Sequence, residues 1–521
     1  MTDSSDDRTA PKGDEGSGTL TTWVPDLLYV NGRFERGCAL VCDDAGRIVA
    51  VAHLNDDADR NDEARLESAD AGGVPVTATR VVRLRGRALL PGMVNAHSHA
   101  FQRVIRGRTE HRSAVSSRDS FWTWREAMYE AAARLTPEDI YDASRMAFAE
   151  MALSGITAVG EFHYLHRAPD GAEYEDPNLL AKQVVRAARD VGLRVALLRV
   201  FYARSGFRTP PNERQRRFIE ADPAVYVRHT EALMRDLRQA DAAGGSANGG
   251  AWAGVAPHSV RAVMPEHLRA ASAFADAHGL PLHMHVAEQP AEVAVCVAET
   301  GRTPVALLAD EGVLSARFTG VHAVHITAEE ARALARAGAT VCACPTTERN
   351  LGDGVVPADL LFAAGVAVSL GTDSHTQIDL LEDARELEYH LRLQRVERNV
   401  LAPEANEAAW ENEAAGRAAN ISALAARLFE CATTSGARSI GAAGGALEPG
   451  RPADFFTVDL DDPSIAGAGD EDLLPAVVFS LSRTAVREVA VGGRLVVEEG
   501  RHGAQEEIVS RFAALQKKLR R

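Results

Sequence analysis

The sequence predicts an α/β fold: a (β/α)8 TIM-like barrel with a small β-sandwich domain built from both chain ends. Three observations lead there. Eight short apolar runs alternate with amphipathic stretches through the middle of the chain, strand-and-turn segments flank that middle on both sides, and polar residues stand at the ends of nearly all the runs. Eight strand–helix repeats over about 350 residues is the count of a closed parallel barrel, whose chemistry sits at the C-terminal strand ends. A doubly wound sheet also alternates, but it seldom reaches eight strands with polar ends.

Taken in order, residues 1–20 read as a disordered acidic tail, with five acidic residues up to Gly18, no basic start and no apolar core. Residues 21–90 read as the first part of the sandwich: strand-like 27–34, 39–42 and 47–51, a surface excursion rich in acid and alanine at 55–73, then an apolar return at 81–90. The barrel is assigned to 91–440. Its strands are the runs 89–96, 156–162, 194–200, 254–257, 280–286, 320–324, 340–344 and 366–370, and helices such as 137–154, 179–191, 265–278 and 328–337 run toward a glycine. Residues 239–251, rich in alanine and glycine, read as a mobile loop. Residues 441–503 supply the second part of the sandwich through strands at 453–459, 486–491 and 494–498, and 504–521 form a terminal helix. The two terminal strand sets are expected to pair with each other, since either alone leaves open edges.

Of 521 residues, 46% are hydrophobic and 25% charged, enough for a sizeable core. The net charge of −16 repels polyanions, so nucleic acid is a poor partner, and no apolar stretch is long enough to span a bilayer. Six cysteines, Cys38, Cys42, Cys296, Cys342, Cys344 and Cys431, lack the density of a disulfide framework or the spacing of a four-cysteine zinc site. A reducing cytoplasm fits that usage.

The first run ends in His97-Ser-His99. Residues two apart on a strand share a face, so both imidazoles can converge on one metal. The fifth reads His283-Met-His285-Val-Ala-Glu288, again with two histidines on one face. Glu288 lies three residues further, where a carboxylate can sit above a metal and shuttle a proton from water to a leaving nitrogen; alone, it also reads as a helix N-terminal carboxylate. The sixth run carries His322. The eighth ends at Asp373, a carboxylate able to ligate a metal and accept a proton, though a lone aspartate after Gly-Thr also suits a turn. Their joint occurrence at strands one, five, six and eight of one barrel face points to a site.

With His97-Ser-His99, His285-Val-Ala-Glu288, His322, Leu370-Gly-Thr-Asp373 and Leu447-Glu-Pro-Gly-Arg-Pro-Ala-Asp454, the chain resembles the amidohydrolase superfamily in its single-metal deaminase branch. The resemblance implies that His97, His99, His285 and Asp373 hold one divalent metal, with zinc the expectation, and that Glu288, His322 and Asp373 are catalytic. The only lysines are Lys12, Lys182, Lys517 and Lys518, none near strand four, which excludes a lysine-bridged pair of metals.

His97-Ser-His-Ala-Phe-Gln102-Arg, Asp119-Ser-Phe-Trp-Thr-Trp-Arg125, Glu161-Phe-His-Tyr164 and Pro257-His258-Ser-Val-Arg261 further resemble the formimidoylglutamate deiminases. That resemblance implies hydrolysis of N-formimino-L-glutamate to N-formyl-L-glutamate and ammonia in histidine degradation. It implies a homodimer, and substrate held by Gln102, Arg125, Tyr164, His258 and Arg261. The residue types agree, since a dicarboxylate calls for guanidinium forks and neutral donors, whereas an aminated heterocycle calls for an aromatic slot and amides. Arg125 in its aromatic run also reads as a brace of the fold or of a subunit contact. Cys342 and Cys344 read as small barrel-filling residues, and His163, His283, His325 and His375 as supporting or core histidines.

Overall fold

The computed structural model describes residues 19–54, 80–112, 119–242, 250–403 and 413–520. The acidic tail up to Gly18 and the excursion 55–73 lie outside them. The N-terminal strands are β1 (Thr21–Val30), β2 (Arg33–Glu35), β3 (Cys38–Cys42), β4 (Ile48–His53) and β5 (Arg80–Pro91). Eight strands follow in the middle: β6 (Met93–Ser98), β7 (Ile156–His163), β8 (Arg194–Phe201), β9 (Ala251–Pro257), β10 (Leu282–Val286), β11 (Phe318–His322), β12 (Thr340–Ala343) and β13 (Ala367–Leu370). Last come β14 (Phe455–Asp459), β15 (Val486–Val491), β16 (Arg494–Glu498) and β17 (Arg501–His502).

Strands β6 to β13 pair in sequence order, all parallel, with helices packed outside them. Every residue of β7 and β8 is buried, which is why these segments read as continuous apolar runs and not as alternating ones. The barrel closes where Ser98 bridges Asp373: the His99 N–H donates to the Asp373 carbonyl and the Asp373 N–H to the His97 carbonyl, both at 3.0 Å. The seam is therefore made by the residues singled out for chemistry. Asn95 stitches it again, its amide donating to Thr372 Oγ1 at 2.7 Å while its oxygen accepts the Thr372 N–H at 3.0 Å.

Helices Leu179–Val191, Pro265–His278 and Ala328–Ala337 each stop on a left-handed glycine, Gly192, Gly279 and Gly338. There the missing Cβ permits a positive φ and the chain can turn back into the next strand. Helix Pro137–Ala152 ends two residues before the expected 154. The loop expected at 239–251 is shorter: Gln239 and Ala240 finish helix Pro223–Ala240, Ala251 opens β9, and 243–249 lie outside the described residues.

The two chain ends meet in one nine-stranded mixed sheet ordered β17-β16-β15-β14-β5-β1-β3-β4, with β2 on β1. The join is the antiparallel pair of β14 and β5, from Phe455 opposite Pro91 to Asp459 opposite Arg87, while β1 and β5 run parallel. Trp23, Leu28, Leu40, Leu89 and Phe455 form its own apolar core. A buried ion pair anchors this unit to the barrel, Arg194 on β8 gripping Asp454 through two bonds of 2.7 and 3.1 Å. The terminal helix Gln505–Leu519 lies on helix Pro137–Ala152, where Arg511 reaches Asp142 at 2.7 Å. Among the described residues, no helix is long and apolar enough to cross a membrane.

Candidate active site

At the C-terminal mouth of the barrel, β6 presents His97, the residue just past its end is His99, β10 presents His285, and the turn after β13 presents Asp373. All four are buried. His97 Nε2 lies 3.2 Å from both His99 Nε2 and His285 Nε2, and Asp373 Oδ1 lies 3.2 Å from His99 Nε2 and 3.4 Å from His97 Nε2. Ligand atoms about 2.0–2.1 Å from a tetrahedral ion stand ~3.3–3.4 Å apart, so this spacing fits a single small divalent cation. The tautomers fit as well. His99 Nδ1 faces the Phe162 carbonyl at 2.8 Å and His285 Nδ1 the His258 carbonyl at 3.2 Å, which turns both Nε2 lone pairs inward. Burial pushes the His97 imidazole down to about 3 and that of His285 well below its usual range, so both are neutral. Burial raises the Asp373 carboxyl, but the imidazoles of His97 and His99 outweigh it and hold the group well below the carboxylate range. Three imidazoles and one carboxylate form a donor set suited to a divalent ion.

His322 closes the site from the end of β11. Its Nε2 lies 3.6 Å from Glu288 Oε1 and 3.9 Å from Asp373 Oδ2, and its Nδ1 lies 3.2 Å from Glu348 Oε1. Burial lowers its pKa, but Glu288, Glu348 and Asp373 overcome that and hold it well above the usual histidine value, as an imidazolium. The backbone is strained where these groups project: Ala287, His322, Ala323, Asp373 and His375 all have positive φ, between 42° and 74°. Non-glycine residues tolerate that only where surrounding structure enforces it, and such positions gather at active sites.

Above the four converging atoms is a small pocket whose lining includes Gln102, Arg125, Tyr164, His258 and Arg261 as well as Glu288, His322 and Asp373. The amide of Gln102 donates to Tyr164 Oη at 2.7 Å, and its own oxygen is buried without a partner. The Nε atoms of Arg125 and Arg261 are buried and likewise unpartnered. Among the described residues, neither guanidinium has a carboxylate within salt-bridge distance. Arg125 instead stacks 4.5 Å from the Trp122 ring centroid. Trp124 and Leu351 are shared with a wider outer hollow that carries Arg108, Arg112 and Arg349.

Residues 88–496 match the amidohydrolase family. The chain belongs to that family. It is 40% identical over 429 residues to a formimidoylglutamate deiminase of Pseudomonas aeruginosa, covering 82% of this chain and 88% of the relative. Among solved structures it resembles an amidohydrolase from Brucella melitensis, with a TM-score of 0.80, 33% identity and coverage of 96% of this chain and all of the other. It also resembles an adenosine deaminase from Xanthomonas campestris with bound zinc, with a TM-score of 0.75, 22% identity and 96% and 98% coverage, a likeness of fold.

In this amidohydrolase, the eleven residues singled out from the sequence (His97, His99, Gln102, Arg125, Tyr164, His258, Arg261, His285, Glu288, His322 and Asp373) meet at one barrel mouth. His283 does not join them: it shares the inward face with His285 but lies deeper, its Nε2 on the Ser439 carbonyl at 2.8 Å. His375 sits under the seam between Ser98 Oγ and Thr372 Oγ1, both at 3.1 Å. Two carboxyls received no role from the sequence. Glu348, one turn into the helix after β12, orients His322 and has no spacing signal in Pro345-Thr-Thr-Glu348. Glu161 on β7 accepts from Ser98 Oγ at 2.5 Å and from the Ala100 N–H at 2.8 Å, propping the loop that carries His99. Burial pushes its carboxyl up to about 7. An acid inside a wholly buried, mostly apolar strand was its available signal.

Proposed function

We propose that this amidohydrolase hydrolyses the formimino group of N-formimino-L-glutamate, giving N-formyl-L-glutamate and ammonia, as a cytoplasmic homodimer serving histidine degradation. The observation that carries the reading is the pair Arg125 and Arg261. Two pocket guanidiniums with no carboxylate in ion-pair distance can take their anions from a ligand, and a substrate with two carboxylates brings both. The likeness to the formimidoylglutamate deiminase of Pseudomonas aeruginosa supports the same substrate.

His97, His99, His285 and Asp373 would hold one divalent ion, for which we propose zinc. When bound, it supplies a Lewis acid that lowers the pKa of water and makes it nucleophilic at neutral pH. Glu288, within 3.6 Å of His322, takes the first proton from the attacking water and returns it to the imino nitrogen, which becomes an amine. The His322 imidazolium, sustained by Glu348, donates toward the oxygen that gains charge on the former amidine carbon. Asp373 takes the second proton, from the carbon-bound hydroxyl, and passes it to the departing amine, so that ammonia leaves and the formyl C=O forms. Arg125 and Arg261 fix the carboxylates, with Gln102, Tyr164 and His258 as neutral donors around them.

The competing reading is a deaminase of aminated heterocycles, which needs the same metal set but a different pocket. Comparing kcat/KM for N-formimino-L-glutamate with that for adenosine decides between them. We expect at least a ~10³ preference for the dicarboxylate, the scale set by charged partners left unpaired by the wrong substrate. A preference for the heterocycle overturns the proposal.

A further inference from the structure

Tyr129, on helix Phe121–Arg134, and Tyr202, immediately after β8, line the pocket beside Arg125 and Arg261. Both are almost wholly buried. Their hydroxyls meet at one group behind the pocket wall: Gln215 Nε2 lies 2.9 Å from Tyr129 Oη and 2.8 Å from Tyr202 Oη, donating to both. The other end of that amide is held as well. Ser205 Oγ accepts the Asn212 N–H at 3.0 Å and donates its own proton to Gln215 Oε1, in keeping with the nitrogen facing the tyrosines.

Each tyrosine thus spends a lone pair on Gln215 and keeps its proton. Among the described residues, neither hydroxyl has a carbonyl or carboxylate to donate to. The two hydroxyls share one amide, and where one of them donates to the other only one proton of the pair is used. At least one O–H proton is therefore left for the cavity that both guanidiniums line. A carboxylate offers about four lone-pair sites, more than a single guanidinium fork saturates.

We propose that Tyr129 and Tyr202 are neutral donors to a substrate carboxylate, completing the anion subsite of Arg125 and Arg261, and that Gln215 is the positioning residue that aims them. The inference rests on the dicarboxylate reading of this pocket. It explains why an amide stands where a carboxylate of the same size would bond both hydroxyls better: an acceptor there would draw the protons out of the pocket.

Gln215→Glu makes that reversal at almost constant volume. KM for N-formimino-L-glutamate should rise at least ~10-fold while kcat falls less than ~3-fold, the pattern of lost binding to a charged group. For a simple N-alkylformamidine without carboxylates, kcat/KM should stay within ~2-fold of the wild type. A KM for the dicarboxylate within ~2-fold of the wild type, or equal losses on both amidines, would overturn the proposal. If Gln215→Glu does not fold, the Tyr129→Phe/Tyr202→Phe double variant carries the same test with the same outcomes. Should the wild type not turn over N-formimino-L-glutamate, the substrate reading fails separately, and calorimetric binding of glutarate tests the subsite. Binding weakened ~10-fold in Gln215→Glu supports it, and equal or absent binding overturns it.

Discussion

Replacing Glu288 by glutamine keeps the size of the side chain and removes its charge and its ability to carry a proton. Loss of a positioned acid–base group costs ~10²–10⁴ in rate, or about 3–5 kcal/mol of barrier. The geometry argues for more than the minimum. Glu288 Oε1 is 3.6 Å from His322 Nε2, and at an effective dielectric of ~20 that separation represents about 5 kcal/mol of gross attraction to the imidazolium. The substitution therefore removes the proton carrier and also weakens the charged form of His322. Metal content should not change, because Glu288 is not among the four converging ligand atoms. The assay is ammonia release at saturating substrate, with metal measured by atomic emission on the same sample. Turnover within a few-fold of the wild type would refute the proton-carrier role, and loss of the metal would show that Glu288 belongs to the ligand set.

Gly371→Ala should reduce metal affinity by at least ~10-fold, as for other disturbances of ligand support: a Cβ there would stand 2.7 Å from His97 Cβ and 3.0 Å from Cys342 Sγ. Competition with a metal indicator measures it, and unchanged affinity would mean that the seam can relax. Arg261→Met should raise KM for the dicarboxylate ~10–100-fold with a smaller change in kcat, as expected for a lost charged hydrogen-bonding partner; steady-state kinetics read it directly. Glu220→Gln should destabilise the fold by about 3–5 kcal/mol near neutral pH, because it strands the buried guanidinium of Arg199, now held by bonds of 2.5 and 2.9 Å. Burial raises the Glu220 carboxyl, but Arg199 and His229 hold it well below its ordinary value. Its contribution is therefore present above the unfolded carboxyl pKa of ~4.3 and lost as pH falls below it. Urea unfolding across pH should find the difference between variant and wild type largest near pH 7 and shrinking in acid.

Much of the architecture was legible because buried parallel strands write themselves as unbroken apolar runs, and all eight barrel strands overlap such runs. The pairs His97/His99 and His283/His285 were legible as shared faces, since a strand's period of two needs no tertiary information. That only His285 reaches the ion site was not: both histidines point into the barrel, and depth along its axis depends on stagger between strands. Glu348 was hidden for a related reason. It reaches His322 from the first turn of a helix on a neighbouring repeat, and nothing in its local sequence sets it apart from a solvated acid. Gln215 lies in a long connection after β8, where neither periodicity nor motif marks it, and its direction becomes meaningful once Ser205 and the two tyrosines are in position. The β14–β5 pairing was foreseeable from the open edges each set would otherwise leave, whereas the parallel pairing of β1 with β5 was not encoded in either strand's pattern.

The account stands or falls on one metal site serving one dicarboxylate amidine. The direct measurement incubates the purified protein with N-formimino-L-glutamate as isolated, after chelation, and after zinc is restored, following ammonia while identifying the carbon product by NMR. The account predicts one ammonia per N-formyl-L-glutamate, abolished by chelation and recovered with about one equivalent of zinc. Formamide and glutamate as products, or ammonia release that survives removal of the metal, would contradict it.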